Sequence, residues 1–319
     1  MDLSPSKKHL DVGAITIVVT LCLLWGLAQV SIKVANRGVS PIFQAAVRSI
    51  VAVSLVAVWA HIRALPLLHR DRTLLHGLAI GLLFGTEFIF IYEGMSHTTA
   101  SHAVIFLYTA PFFVALGAHW LLPNEPLTRR KFAGLLLAFG GVITTLWDSL
   151  AAPTWSQTAG DLMSLTGGFL WAATSLYLKR VVGSRMTPSQ MLFYQLGVSA
   201  VQLSLMSVLL EPQPVYSMSP LVITCMAYQG VIVAFASYLV WFWLIQVYPV
   251  SNLSGFTFFT PLFGVLLGAL LLHEPLTAKL LTGAGLVTAG MILVNWPSRL
   301  LKKAHLRRWR GCAALRRTD

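Results

Sequence analysis

The sequence has few charged residues, and most of those it has are basic. Only 11% of its 319 residues are Asp, Glu, Lys or Arg, whereas 56% are hydrophobic. Because soluble domains carry about 25% charged residues, this composition excludes an ordinary soluble domain. The three cysteines are scattered along the chain, which excludes a disulfide framework and a cysteine-based metal site.

Motifs for catalysis and nucleotide binding are also missing. The sequence has no G-x-x-x-x-G-K-[ST] loop, no H-E-x-x-H and no G-x-S-x-G, so we expect no metal, no cofactor and no bound ATP, and an intramembrane enzyme is disfavoured. The net charge of +12 does not indicate a nucleic-acid partner, because the basic residues stand in short clusters between apolar runs.

Ten apolar runs follow one another along the chain. Each approaches or exceeds the roughly 20 residues that a helix needs to cross a bilayer. The sequence therefore predicts an all-α polytopic membrane protein with ten transmembrane helices, embedded in the lipid bilayer. The predicted spans are residues 12–32, 41–60, 74–95, 100–122, 132–147, 162–178, 188–210, 221–247, 250–272 and 278–296.

The basic clusters occupy alternate connections between these runs. With a cytoplasmic N-terminus, the clusters at 7–8, 63–72, 129–131 and 179–185 and the basic tail all face the cytoplasm, as the positive-inside rule requires. Both termini are therefore predicted to be cytoplasmic. The first run has no small-residue cleavage site close behind it, so we interpret it as a retained span.

One short motif occurs twice, about half the chain apart. Glu-Pro-Leu-Thr stands at 125–128 and again at 274–277, and Trp25 and Trp171 also match between the halves. Five predicted helices are thus followed by a second copy of five. We interpret each Glu-Pro-Leu-Thr as a turn in which Pro ends one helix and Thr caps the next.

The number of helices in each copy sets the direction of insertion. Because five is odd, the second copy must enter the membrane from the opposite side, which gives two inverted five-helix repeats. Many secondary transporters are built this way, with a substrate site near the midplane. The predicted domains are a first repeat at 1–148, an external linker at 149–160, a second repeat at 161–297 and a basic cytoplasmic tail at 298–319.

The repeated sequence resembles a known family. The stretch TPLFGVLLGALLLHEPLTAKLLTGAGLVTAGMILVNW, the TTAS at 98–101, Trp25, Trp171 and Arg48 are similar to the EamA domain of the drug/metabolite transporter superfamily. The resemblance covers almost the whole chain, as two tandem domains. It implies ten helices with cytoplasmic ends and a central cavity lined mainly by the first four helices of each half. It also implies export of small metabolites such as amino acids, from a bacterial inner membrane.

Two opposite charges lie well inside predicted spans. Arg48 and Glu87 stand about 10 and 12 Å below the outer surface at 1.5 Å per residue. A charge at the bilayer centre costs about 2.5–3.5 kcal/mol, so we expect either a buried ion pair or a shared ligand. In the second case Arg48 binds a carboxylate through its planar fork, and Glu87 binds an ammonium or a coupled proton. A zwitterionic amino acid suits both.

The matching positions of the second half are uncharged, with Gln195 for Arg48 and Ser237 for Glu87. Further candidates for the cavity wall are polar and aromatic residues within the spans, although such residues also join helices to one another. They are Trp25, Gln29, Tyr108, Trp171, Gln195, Tyr238 and Asn252. Pro111 and Pro261 are expected to kink or break the fourth and ninth helices near the binding region.

These features favour a secondary transporter that moves a small-molecule substrate by alternating access, with proton coupling through Glu87. A facilitative uniporter and a channel stay open as alternatives, because neither is excluded by the repeat or by the paired prolines.

Overall fold

The structure, a computed structural model, describes residues 10–68, 73–98, 106–122, 125–147, 154–182, 185–272 and 278–295. The second Glu-Pro-Leu-Thr motif and the basic tail lie outside these ranges. The helices are α1 at Val12–Ala35, α2 at Pro41–Ile62, α3 at Thr73–His97, α4 at Ala110–Leu121, α5 at Arg129–Leu146, α6 at Trp155–Tyr177, the π-helix π1 at Leu178–Val182, α7 at Pro188–Leu210, α8 at Pro220–Ala227, the π-helix π2 at Tyr228–Ser237, α9 at Tyr238–Val247, α10 at Val250–Phe256, α11 at Phe259–Leu272 and α12 at Ala278–Asn295.

Helix occupies part of every predicted span, and in the residues that the structure describes the chain has the all-α architecture of a membrane protein. Several helical stretches among the described residues are long and apolar enough to cross a bilayer by length and composition. They are Val12–Ile32, Pro41–Ile62, Thr73–Gly94, Pro188–Leu210 and Pro220–Val247. Shorter apolar stretches occur at Ala110–Leu121 and Leu281–Val294.

Short polar residues start several of these helices. The carboxylate of Asp11 accepts a hydrogen bond from the Ala14 backbone nitrogen at 2.9 Å. The hydroxyl of Thr128 accepts one from the Lys131 backbone nitrogen at 3.2 Å. Each cap satisfies a backbone donor that the first turn of a helix leaves free. In the first Glu-Pro-Leu-Thr copy, Thr128 is therefore the N-cap of α5, as the sequence predicts.

Two elements differ from the sequence prediction. α6 begins at Trp155, inside the stretch predicted as a linker, because Thr154 and Gln157 form a capping box that starts the helix in polar sequence. The eighth predicted span is not one continuous α-helix, since π2 separates α8 from α9. π-Helical segments are rare and frequently lie at functional sites, and π2 contributes Val233 to the cavity described below.

The most extensive packing joins the first half of the chain to the second. α5 packs along α12, α3 lies against α6 and α7, α2 lies against α7, and α1 lies against α11. The contacts between α2 and α3, which belong to the same half, are much less extensive. The two halves thus form a single interlocked bundle.

Paired glycines allow α5 and α12 to approach closely. A Cβ atom added to Gly134 would lie 2.7 Å from the Gly290 carbonyl oxygen, and one added to Gly141 would lie 2.7 Å from that of Gly283. Because the partner number falls as the α5 number rises, the two helices run antiparallel. Small residues at such crossings let helix backbones pack together within a membrane.

Candidate functional site

A cavity of about 140 Å³ lies between the two halves. In the first half its wall comes from α1, α2, α3 and residues 107–108, and in the second half from α6, π1, α7, π2 and α9. All but one of the residues that the sequence suggests for the wall line this cavity. They are Trp25, Gln29, Arg48, Glu87, Tyr108, Trp171, Gln195 and Tyr238.

Asn252 is the exception. It lies in α10, which packs against α4 and α12, and it does not line the cavity described here. Asn252 is buried between helices, and its Oδ1 atom has no hydrogen-bond partner within the described structure. Asn252 thus lies away from this cavity in the described structure, and its part in a substrate site stays a prediction.

Arg48 reaches from α2 to an aromatic face of α3. Its Cζ atom lies 4.0 Å from the centre of the Phe88 ring, 6.0 Å from that of Phe84 and 5.9 Å from that of Tyr238. A cation within about 6 Å of a ring centre is attracted by the negative face of the ring. The guanidinium is therefore held by three aromatic rings.

Arg48 and Glu87 share the cavity without a direct ion pair. Their side chains are 4% and 5% exposed, and no ion pair joins them within the described parts of the chain. Of the two arrangements that the sequence leaves open, the closed ion pair is thus absent from the described residues. Two buried opposite charges instead line one space.

Several buried polar atoms at the cavity have no hydrogen-bond partner among the described residues. They are Nε and Nη2 of Arg48, Oε2 of Glu87, the hydroxyl of Tyr92 and Oε1 of Gln195. Leaving such an atom buried and unpartnered costs about 1–3 kcal/mol, and more where the group is charged. Donors and acceptors of this kind, gathered at one cavity, are what a polar ligand needs.

The rest of the wall is largely aromatic. The Trp25 ring packs edge-on against Trp241 at 5.2 Å and against Tyr238 at 6.3 Å between ring centres. Its indole nitrogen donates a 2.8 Å hydrogen bond to the hydroxyl of Ser237, which fixes the orientation of the ring. Tyr108 and Trp171 meet edge-on at 6.4 Å. These contacts give the charged pair an apolar surrounding.

Both prolines expected to interrupt helices lie next to breaks. Residues 108–109 form a turn before α4, and Pro111 stands in the first turn of that helix. Residues 257–258 separate α10 from α11, and Pro261 stands near the start of α11. Thr109 and Thr257 donate side-chain hydrogen bonds, each 2.6 Å long, to the carbonyls of Phe106 and Ser254. Such side-chain bonds help to satisfy backbone groups that a broken helix frees inside a membrane.

A buried carboxylate holds the turn between α9 and α10. Glu125, 5% exposed, accepts hydrogen bonds from the backbone nitrogens of Val250 at 3.0 Å and Ser251 at 2.9 Å, and from the Ser251 hydroxyl at 2.5 Å. Lys131 donates a 2.8 Å hydrogen bond to the same hydroxyl. The hydrogen bonds of Glu125 and Lys131 thus join the first half of the chain to the second at this turn.

The other side of the same turn is held by Lys179 of π1. Its ammonium donates to the carbonyl oxygens of Ile245 at 2.6 Å and Tyr248 at 2.9 Å, and so satisfies the end of α9. The Tyr248 hydroxyl in turn donates to the Asp11 carboxylate at 2.8 Å. We call Glu125, Lys131 and Lys179, with the turn at 245–251, the α9–α10 clamp.

Two parts of this site are missed by sequence reasoning. Phe84, Phe88 and Tyr92 recur every fourth residue on one face of α3, a pattern typical of both packing and a cavity wall. The sequence indicates Glu125 only as part of a turn, although its recurrence as Glu274 marks a position that both halves share. The distant partners of Glu125, Val250 and Ser251, have no local signature in the sequence.

Comparisons with known proteins agree with this architecture. The chain is similar to the uncharacterized transporter YvbV of Bacillus subtilis (28% identity, covering 89% of this chain and 92% of the relative). It is also similar to a probable amino-acid metabolite efflux pump of Salmonella typhimurium (26% identity, covering 89% and 95%) and to one of Escherichia coli (25%, covering 88% and 93%). These names are of transporters rather than enzymes.

Fold and family comparisons point the same way. A chain of known crystal structure superposes with a TM-score of 0.78 at 18% identity, covering 89% of this chain and 98% of the other, which supports the fold alone. The model of the EamA-like transporter family matches residues 12–147 and again 158–296. These two matches span nearly all of the helical bundle described above, so the chain belongs to the EamA-like transporter family.

Proposed function

We propose that this chain is a secondary transporter that exports amino acids or related small metabolites across the inner membrane by alternating access. The observation that carries the proposal is the position of Arg48 and Glu87, both buried at one cavity and not joined in an ion pair within the described structure. The relatives named as probable amino-acid metabolite efflux pumps support the substrate class.

The charge balance of the wall favours a zwitterion. Among the described residues that line the cavity, only Arg48 and Glu87 are charged. A zwitterionic amino acid brings one charge of each sign, so its carboxylate pairs with Arg48 and its ammonium with Glu87. A ligand with a single charge leaves one buried group without a partner, which is costly.

The size and polarity of the cavity favour a small, apolar side chain on that amino acid. The volume of about 140 Å³ is close to that of an engineered cavity of about 150 Å³ that binds benzene. Trp25, Tyr108, Trp171 and Tyr238 give the cavity aromatic walls. An aliphatic or aromatic side chain is therefore expected to lie against these rings.

The glycine contacts between α5 and α12 support an inverted repeat. Gly134 and Gly141 match Gly283 and Gly290 in the repeated sequence, and the contacts cross over, with Gly134 at Gly290 and Gly141 at Gly283. A two-fold relation between antiparallel copies produces this exchange of partners. Inverted repeats of this kind place two related gates around one central site.

The α9–α10 clamp supports a closed cytoplasmic end. If both termini are cytoplasmic, the turn at 245–251 lies on that side, and Glu125 and Lys131 fasten it to the first half. Opening this end then requires the turn to leave Glu125. The breaks at 108–109 and 257–258 are the places where the fourth and ninth predicted helices are proposed to bend.

Counterflow in proteoliposomes tests the proposal. Vesicles loaded with an unlabelled amino acid are expected to accumulate the same radiolabelled amino acid transiently, with the largest signal for zwitterions that have apolar side chains. A channel gives no such accelerated exchange, so absence of counterflow across a full panel of amino acids contradicts the proposal.

Proton coupling is tested with Glu87→Gln, which keeps the shape of the side chain and removes its charge. We expect the variant to elute as a folded protein and to lose transport or its dependence on a pH gradient. Unchanged, pH-dependent transport in Glu87→Gln contradicts coupling through this residue. A wild-type protein that exchanges substrate without any response to a pH gradient indicates the facilitative alternative.

A further inference from the structure

The Cζ atom of the Arg48 guanidinium lies close over the Phe88 ring. At 4.0 Å from Cζ to the ring centre, this is the shortest of the three ring contacts. Phe88 is 8% exposed and Arg48 is 4% exposed. Both groups are thus removed from solvent, the condition in which a cation and an aromatic face attract most strongly.

The two unpartnered nitrogens of Arg48 belong to the same edge of the group. A guanidinium is planar, and its Nε–H and one Nη2–H point the same way, at the spacing of the two oxygens of a carboxylate. Nε and Nη2 are the Arg48 atoms that are buried without a hydrogen-bond partner in the described structure. A complete bidentate edge of a residue that lines the cavity is therefore without a hydrogen-bond partner in the described structure.

The order of residues along α3 explains why Glu87 does not occupy that edge. Phe84 and Phe88 are four residues apart and lie on one face of the helix, with ring centres 4.6 Å apart, whereas Glu87 projects about 100° away from Phe88. A guanidinium stacked on Phe88 is thus kept on the aromatic face of α3. Without the ring, the same flexible side chain is free to turn toward the nearby carboxylate.

We infer that Phe88 is a positioning residue of the carboxylate site: its ring holds the Arg48 guanidinium away from Glu87, so that the Nε–Nη2 edge stays unpaired for the carboxylate of a ligand. For its ligand, this inference rests on the proposed transport function. The contact with the ring keeps the two opposite charges apart, and Phe84 packs against the Phe88 ring with ring centres 4.6 Å apart.

The test follows the chemical reactivity of Arg48 and does not need a known substrate. Phenylglyoxal modifies guanidinium groups that are not engaged by a carboxylate, and peptide mass spectrometry reports modification at Arg48 alone. In the purified wild-type protein, Arg48 is expected to react, and acetate, as the smallest carboxylate probe, is expected to slow the reaction. Failure of Arg48 to react, or reaction that acetate does not slow, overturns the inference.

Substitutions then separate positioning from simple packing. Phe88→Leu is expected to slow modification of Arg48 by about 5- to 30-fold, which corresponds to about 1–2 kcal/mol of lost cation–ring attraction. Phe88→Tyr keeps an aromatic face and is expected to react like the wild type. Phe84→Leu, which removes a ring centred 6.0 Å from Cζ, serves as the matched control with a smaller effect.

A double variant makes the result specific for Glu87. In Phe88→Leu with Glu87→Gln the competing carboxylate is gone, so the reactivity of Arg48 is expected to return toward the wild-type rate. A packing defect caused by Phe88→Leu is not repaired by this second change, and equally slow modification in the double variant contradicts the inference. Size-exclusion elution confirms that each variant is folded.

The labelling experiment tests the role of Phe88, and the counterflow experiment tests the proposed substrate class, so each can contradict its own claim independently. Equal labelling rates in the wild type and Phe88→Leu overturn the role of Phe88, even where amino-acid exchange is observed. The expected labelling pattern, obtained with a protein that exchanges no amino acid, supports the carboxylate site and rejects the proposed substrate class.

Discussion

The two family domains share a framework but differ in charge at the cavity. Trp25 and Trp171 match in the sequence, and both line the cavity. Arg48 and Glu87 of the first domain, in contrast, correspond to Gln195 and Ser237 of the second. The aromatic wall is therefore contributed by both domains, whereas the charged groups come from one of them.

The difference shows how one position can serve two purposes. Ser237 accepts a 2.8 Å hydrogen bond from the Trp25 indole and donates to the Val233 carbonyl, so it is fully used in joining α1 to π2. Glu87, at the matching place, has a buried oxygen with no partner in the described structure. Most buried polar atoms are hydrogen-bonded, so the unsatisfied position at the cavity is the better candidate for binding.

The largest effect is expected from making the first domain resemble the second. Arg48→Gln removes the carboxylate partner, and truncating one member of a buried charge pair costs about 2–5 kcal/mol. We expect counterflow of an apolar amino acid to fall by about 100-fold or more. Gln195→Ala is the control and is expected to reduce counterflow less than tenfold. Equal losses in the two variants contradict the asymmetry.

The α9–α10 clamp is expected to contribute the next largest effect. Glu125→Ala leaves the backbone nitrogens of Val250 and Ser251 without their acceptor, so the free energy of unfolding in detergent should fall by about 2–4 kcal/mol. The control is Glu93→Ala, since the Glu93 side chain is 40% exposed and its ion pair with His97 lies near the surface; it should change stability by less than about 0.5 kcal/mol. Similar stabilities for both variants would argue against the clamp.

Adjacent glycines offer a sharper test of how the domains meet. A Cβ at Gly141 meets the Gly283 carbonyl at 2.7 Å, whereas a Cβ at Gly140 meets nothing within 4 Å. Gly141→Ala is therefore expected to lower the free energy of unfolding by about 1–3 kcal/mol. Gly140→Ala is expected to leave it unchanged or raise it by up to about 1 kcal/mol. The reverse order, measured by denaturant unfolding, rejects the close approach of α5 and α12.

The smallest effect distinguishes the two matched tryptophans. Trp25→Phe removes the hydrogen bond to Ser237 and is expected to reduce stability by about 1 kcal/mol. Trp171→Phe removes no indole hydrogen bond seen among the described residues, so its effect on the unfolding midpoint should be smaller. A larger shift for Trp171→Phe would indicate that the second domain depends on its tryptophan in another way.

The fold was largely predictable because its signals are local and repeated. Long apolar runs indicate the helices. Thr128 stands directly before the start of α5, and Pro111 stands two residues after the break at 108–109. The extended start of α6 and the π-helical stretch between α8 and α9 were not predicted, because both depend on side-chain caps and packing that override hydropathy.

The site was predictable only in part. Depth along a helix follows from residue counting, and it places Arg48 and Glu87 at one level. The direction in which a side chain points depends on helix rotation within the bundle, so the stacking of Arg48 on Phe88 could not be foreseen. Asn252 illustrates the same limit: the sequence suggests it for the cavity wall, but it does not line the described cavity.

The most direct test of the zwitterion site is competition by matched analogues in wild-type counterflow. Leucine carries both charges, its amide lacks the carboxylate, and 4-methylpentanoate lacks the ammonium. If Arg48 and Glu87 each hold one charge, leucine competes at least about tenfold more strongly than either analogue. Equal competition by all three compounds contradicts a site in which both charges bind the substrate.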